Sequence, residues 1–343
     1  MRDPRLRLAL VITSLQVLGQ VALGFDLSIA QIVLPILACA LVEVAVTWRR
    51  TGSPVWPASA MLTGNSVAFL LRAPGTRHGD WWSLHGIQFF LLAALVGLVS
   101  KWVIRYGRRH LYNPSNLGLV LVLLLFGPSQ VVPQFLWWGP LGWPVALALA
   151  VIAAGGLWIL RPLGMLPMVV AYLGTFWVLL WAIVYSGRCF LAVWHPASVC
   201  GSDYWLNVSL SPEVLVFVFF MISDPQTAPR LPAARAAYGA LVAAAGAGLM
   251  LLQPSEFGVK LAILAGLTVV CPFVPLLDAA VTRARGSLER GKATFAVLGG
   301  SILVTFWVAV SVLTLASNLN VIGRDLPAPA GCSPSAAQAG ACP

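Results

Sequence analysis

Six polar residues lie in or beside long apolar runs, and their types could do chemistry there. Thr63 and Asn65 interrupt the stretch Ser59–Gly75, Asn113 and Asn116 sit in His110–Gly118, and Asp224 and Thr227 fall in Asn207–Pro229. Amides, hydroxyls and a carboxylate offer donors and acceptors to a small polar ligand. Left unpartnered in an apolar medium, each such group costs roughly 2–7 kcal/mol. They must therefore either satisfy backbone that has left a helix or line a ligand site, and the residues alone leave both readings open. Ser211-Pro212-Glu213 reads as a helix start: a cap, a proline at the first position and an acid in the first turn. Asp224-Pro225 reads as its end, because the residue before proline avoids the α region. An anion at a helix C-terminus is disfavoured by the dipole, so a cation, a backbone amide or Arg230 is expected beside Asp224.

Other chemistries lack support. Of the six cysteines, Cys39 and Cys271 lie in apolar blocks as small hydrophobes, whereas Cys189, Cys200, Cys332 and Cys342 share one side of the expected topology. A Cys189–Cys200 disulfide would close the longest connection; the alternative is a pair of thiols that exchanges electrons. No cysteines or histidines stand at metal-ligand spacing, and His85 and His195 read as structural. There is no Ser/His/Asp arrangement, no phosphate-binding loop and no dinucleotide fingerprint, so no catalytic residue is assigned.

The elements that must hold these residues are membrane spans. Of 343 residues, 59% are hydrophobic and 9% are charged, against about a quarter charged in soluble domains. The apolar blocks run about 18–22 residues, the length that crosses about 30 Å of hydrocarbon. Expected spans cover 8–25, 28–47, 56–71, 84–104, 116–131, 141–160, 165–185, 211–223, 237–253, 259–280 and 294–316. The first is read as a span rather than a cleaved leader, since no small-x-small site follows it. With the N-terminus cytoplasmic, 16 of the 21 basic residues fall inside; Arg72, Arg77, Arg188, Lys260 and Arg324 fall outside. The C-terminal tail is then outside. Tryptophans such as Trp81, Trp82, Trp137, Trp138, Trp194 and Trp205 mark span ends. The net charge of +10 follows these loops and forms no nucleic-acid-binding module. The chain divides into N-terminal spans (1–55), a core (56–280) with broken segments at 59–75 and 207–229, a basic loop and extra span (281–317), and a disordered outer tail (318–343). The bilayer is the implied partner.

Short segments interrupted by Gly, Pro, Asn or Asp in corresponding places of two halves point to a midplane site between inverted repeats. The fold class is thus an all-α polytopic membrane protein.

Several of these stretches resemble one family. SAMLTG at 59–64, Trp81-Trp82, YNPSNLG at 112–118, FFMISDPQTAP at 219–229 and PLLD at 275–278 are similar, in order and spacing, to segments of two related membrane proteins. These are the RnfD component of the Rnf electron-transport complex and the NqrB component of the sodium-pumping NADH:quinone reductase. The resemblance covers roughly 55–280. It implies a bacterial inner membrane, a urea-transporter-like inverted repeat of about ten spans with two broken helices, other membrane or redox subunits as partners, and electron transfer through flavins. Members of the family carry FMN covalently on a threonine in an outer loop. Here the matching connection is only Val132–Pro140 and has no such motif, which argues against covalent FMN and leaves a noncovalent flavin, FMN or riboflavin. Thr63, Asn65, Asn113, Asn116, Asp224 and Thr227 would then line or gate the cofactor. This loop-deleted pattern is similar to the membrane protein associated with enediyne biosynthesis, most clearly in WHPASVCGSDYW (194–205), and implies a tie to natural-product metabolism. The same cavity also suits a small-solute transporter or channel, and a non-catalytic scaffold or export component is the third reading.

Overall fold

A computed structural model describes residues 3–136, 142–193 and 197–288. The eleventh expected span, the tail with Cys332 and Cys342, and Trp137, Trp138, Trp194 and His195 lie outside the described residues.

The first part of the chain forms α1 (Pro4–Ala22), α2 (Ile29–Thr51), α3 (Ala58–Leu70), β1 (Leu71–Arg72), α4 (Ile87–Val103), a short hairpin of β2 (Arg105–Tyr106) and β3 (Arg109–His110), α5 (Pro114–Phe126) and β4 (Val132–Pro133). The second forms α6 (Trp143–Leu163), α7 (Leu166–Tyr185), α8 (Gly201–Ser209), α9 (Pro212–Val216) running into a π turn (Phe217–Met221), α10 (Pro232–Met250), α11 (Glu256–Val270), a 3-10 turn (Cys271–Phe273) and α12 (Val274–Leu288). Seven stretches are long and apolar enough to cross a membrane, and α3, α4 and α5 are shorter apolar helices. The protein is an all-α multi-pass membrane protein, and its exposed apolar faces (Val21, Leu41, Val103, Val170 and Val178 among them) fit a lipid surround.

Local sequence explains most boundaries. Ser28 and Gln31 form a capping box at the start of α2, and Gly52 ends that helix in the left-handed conformation. Asn113 caps α5, with Pro114 at its first position. Ser211 caps α9 and Ser255 caps α11. Helices α4 and α5 approach closely because both carry glycine at the crossing. A Cβ on Gly97 would meet the Pro114 carbonyl, and one on Gly118 the Ala93 carbonyl. Tyr172, stacked on Phe176 and tilted against Phe217, is fully buried between α7 and the π turn.

One expectation is corrected here. Segment 59–75 is not unwound at Asn65: α3 runs unbroken through it, and the backbone leaves the helix at Leu71, where β1 pairs antiparallel with β4. Lys260, expected at the outer edge of the span 259–280, lies in the second turn of α11 and is only 6% exposed. Apolar length alone does not reveal that a charge at a span's edge is covered by its neighbours.

Many of the basic residues gather at one end, whereas Arg72 and Lys260 lie at the other. Arg7 donates to the Trp158 carbonyl, Arg50 lies over Trp102, and Arg235 donates to the carbonyls of Leu163 and Gly164. At the opposite end the loop after β1 is tied to α2: Gln31 donates to Thr76 and to the His85 carbonyl, and Ser28 to the Ser83 carbonyl. Cys189 and Cys200 are disulfide-bonded there, beside the bridge between Phe190 and Val199. Cys39 and Cys271 are free and buried.

Candidate functional site

A cavity of about 280 Å³ opens at the basic end between α1, α3, α4, α5, α6 and the π turn. Each wall has a local cause. Helix α3 is only 13 residues long, about 20 Å at 1.5 Å per residue, so it leaves depth unfilled. In the π turn the hydrogen bonds widen to i→i+5, as in Ile222 N–H to Phe217 O. That widening frees carbonyls: Met221 O accepts from Asn113 Nδ2 at 3.0 Å, and Phe219 O accepts from the Ser223 hydroxyl. The apolar side of the cavity is Phe69, Phe219, Phe220 and Leu62; the polar side is Ser59, Thr63, Ser66 and His110. Two cations, Arg5 and Lys101, complete it. Lys101 Nζ donates to Ser59 Oγ at 2.8 Å and interacts electrostatically with Glu43.

Of the six residues expected at a ligand site, three line this cavity: Thr63, Asn113 and Asp224. Thr63 donates to the Ser59 carbonyl within its own helix. Asn113 is engaged on both sides of its amide, since Oδ1 accepts from Ser115 and from Asn116 N–H while Nδ2 holds Met221 O. Asn65 is buried in α3 away from the cavity wall. Asn116 ties α5 to α11, donating to the Leu264 carbonyl and the Thr268 hydroxyl, and its Oδ1 has no partner. Thr227 is buried and donates to the Asp224 carbonyl.

Asp224 closes its own turn. One carboxylate oxygen accepts from Gln226 N–H at 2.9 Å, and the other faces His110 Nε2 at 3.3 Å. Of the partners expected beside Asp224, a backbone amide is the one found, that of Gln226, whereas Arg230 places its own backbone N–H on Asp278. The cation that holds this turn is Arg109, which donates to the carbonyls of Pro225, Gln226 and Ala228. Burial, then the neighbouring Arg230 charge, pushes the Arg109 guanidinium below its usual range, and Asp278 and Asp224 oppose that shift.

A second polar cluster lies at the opposite end of the same short helix. Lys260 Nζ sits 2.7 Å from Glu213 Oε1 and 2.7 Å from Glu256 Oε1. Leu136 N–H also donates to Glu213 Oε1, and Val193 N–H donates to Glu256 Oε2. Lys260 additionally lies 4.9 Å from the centre of the Phe135 ring. Glu213, Lys260 and Gln134 line a cavity of about 40 Å³ with Leu70, Phe217 and Met221.

Sequence reasoning misses both sets of charges. It marks Arg5 and Lys101 only as orienting charges. Glu256 and Lys260 stand at i,i+4, a spacing that pairs them on one helix face, and that signal is present in the sequence. Nothing local links them to Glu213. Among the described residues, no group of three or more histidine, cysteine, aspartate or glutamate side chains is placed to hold a metal ion. No family model matches this chain, and no curated protein matches it.

Proposed function

We propose that this chain is a membrane redox component, related to the RnfD group, that holds a flavin noncovalently in the cavity at its basic end. One observation carries the reading: the cavity joins an aromatic wall (Phe69, Phe219, Phe220) to two cations (Arg5, Lys101), and both interrupted segments contribute to it. An aromatic ring system bearing a phosphate is the ligand such a site suits. The apolar wall accepts the ring, while a guanidinium and an ammonium suit a phosphate. The cavity's volume of about 280 Å³ lies just below the usual range for ligand and cofactor sites, about 300–1,000 Å³. A bound flavin supplies one- and two-electron chemistry. The residues' part is to bind and orient it, with Ser59, Thr63 and Ser66 as hydroxyl partners.

The inverted repeat belongs to the same proposal. With α8, α9 and the π turn counted as one stretch (Gly201–Met221), α1–α5 can be set against α6–α11: α3 is then matched with that stretch, and α4 packs on α5 as α10 packs on α11. The orientation with the basic end cytoplasmic follows from the positive-inside rule.

The test is the absorption spectrum of detergent-purified protein. Flavin bands near one per chain are expected, released on denaturation, and Lys101→Met should lower FMN occupancy about tenfold, a loss of about 1.4 kcal/mol in binding. Protein that purifies folded and colourless, and takes up neither FMN nor riboflavin, would sink the proposal. Small-solute transport is the second reading, favoured by the opening of the cavity at one end above a closed ionic cluster at the other. Uptake into proteoliposomes by colourless protein would establish it.

A further inference from the structure

We propose that the cluster of Glu213, Lys260, Glu256 and Gln134 is a proton-binding site, with the proton held on Glu213 Oε2. The argument starts from charge. Two carboxylates and one ammonium lie within 2.7 Å contacts, and Glu256 and Lys260 are 5% and 6% exposed. As ions, the three sum to one negative charge. A net charge enclosed by apolar side chains is strongly disfavoured, and a titratable group normally neutralises it.

The faces packed on Glu213 supply no second cation among the described residues. Helix α11 contributes Lys260 and Glu256; the 132–136 segment contributes Gln134 and Phe135, which carry no charge; α6 contributes Val145, Ala148 and Ile152 near Pro212 and Val216.

Two observations say which carboxyl takes the proton. Both carboxyls lie in the first turn of a helix, so the dipole does not separate them, but both oxygens of Glu256 are engaged, one by Lys260 and one by Val193 N–H. Glu213 has its Oε1 engaged by Lys260 and Leu136 N–H, but its Oε2 is buried without a partner. Independently, Gln134 is 2% exposed, lines the same 40 Å³ cavity, and its Oε1 is also buried without a partner. Two orphan acceptors thus belong to residues that line one cavity, and a donor there would satisfy them. A proton taken from water onto Glu213 Oε2 forms one O–H bond, removes the excess negative charge and supplies a donor to Gln134 Oε1. Lys260 and Glu256 then remain as a neutral ion pair. The site is separate from the flavin cavity and stands whether or not a flavin binds there.

Infrared difference spectra of the full-length protein in lipid nanodiscs, recorded across a pH titration in H2O and D2O, test this. A carboxylic-acid carbonyl band, shifted by deuteration, is expected at neutral pH; it should vanish in Glu213→Gln and persist in Glu43→Gln. Because glutamine imitates the neutral acid, Glu213→Gln should melt like the parent protein at neutral pH. The proposal is overturned if the band is absent, in which case a water or cation bridges the two oxygens, or if it survives Glu213→Gln. It is equally overturned if the band appears only when sodium is replaced by choline, since the occupant would then be a metal cation. Should Glu213→Gln not be recovered folded, the wild-type titration with and without sodium still decides between these outcomes.

Discussion

The helix that begins at Pro212 has two ends built on opposite rules. At its finish, the π turn and the Asp224 turn leave a cavity that is roomy, partly exposed and lined by groups already satisfied among themselves. At its start, Glu213 and Lys260 line a space of about 40 Å³, Glu256 pairs with the same lysine, and buried oxygens go unpartnered. The difference teaches how a polar site can be kept inside a membrane protein. An open site can hold its polar groups by capping bonds, as Asn113 does, and so stays intact when empty. A closed ionic site has no water to fall back on, so removing one member exposes the others to the full cost of burial.

That contrast can be broken most directly at Lys260. Lys260→Met keeps much of the side-chain volume but strips the buried Glu256 carboxylate of its cation and Glu213 Oε1 of a donor. Breaking a buried pair by removing one partner costs about 3–5 kcal/mol, so the variant is expected to lose most of its folded yield or to melt far below the parent in a thermal scan monitored by size exclusion. Lys101→Met, at the open end, should lower the melting temperature by less than Lys260→Met does, because Lys101 pairs with no buried carboxylate at contact distance among the described residues. Equal losses from the two substitutions would erase the distinction between the ends.

A smaller effect is expected where the open cavity meets the fold. Asn113→Ala removes the cap of α5 and the bond to Met221 O together. Loss of an N-cap costs about 0.5–2 kcal/mol, and loss of the donor to a freed carbonyl adds about 1 kcal/mol. The variant should fold, melt measurably lower, and bind flavin less well because the π turn loses its anchor. Asn113→Asp, which restores the cap alone, should recover part of the stability and little of the binding; the two readouts would then separate the cap from the anchor.

These cases also show what is legible in the sequence. Block length and the absence of charge place α2, α4, α6, α7 and α10 within a few residues, because crossing a bilayer demands length and nothing subtler. Ser211-Pro212-Glu213 and Asp224-Pro225 mark both ends of the 212–221 helix, because caps and prolines act through their immediate neighbours. The π turn inside it leaves no such mark, since Phe217–Met221 is an ordinary apolar run that packs against α6 and α7. Helix α8 is hidden inside a connection for the opposite reason: nine residues with Asp203 and Asn207 do not make an apolar block. The buried cluster is illegible as a whole. Glu213 meets Lys260 only when α11 is docked beside α9, so the sequence shows a first-turn acid and a lysine at the edge of another span. Half of the expected polar residues reach the cavity because polar type signals burial with a partner, and the partner can equally be a neighbouring helix, as for Asn116.

The smallest expected effect lies at the closed end of the molecule, away from the cluster. Arg72 and Asp26 form an ion pair at 2.8 Å, with side chains 26% and 38% exposed. Asp26 does not depend on that pair, because its other oxygen accepts from His78 N–H at 3.0 Å. The Coulomb attraction is screened by solvent at this exposure, and pairs of this kind contribute about 0–1 kcal/mol. Arg72→Gln should therefore shift the melting temperature little, and raising the salt concentration should shrink even that difference. The neighbouring β1–β4 pairing is made by backbone groups and survives the substitution. If Arg72→Gln instead proved as damaging as Lys260→Met, charge at this end would be held by a shared network rather than by burial, and the cluster around Glu213 would have to be redrawn to include Asp26.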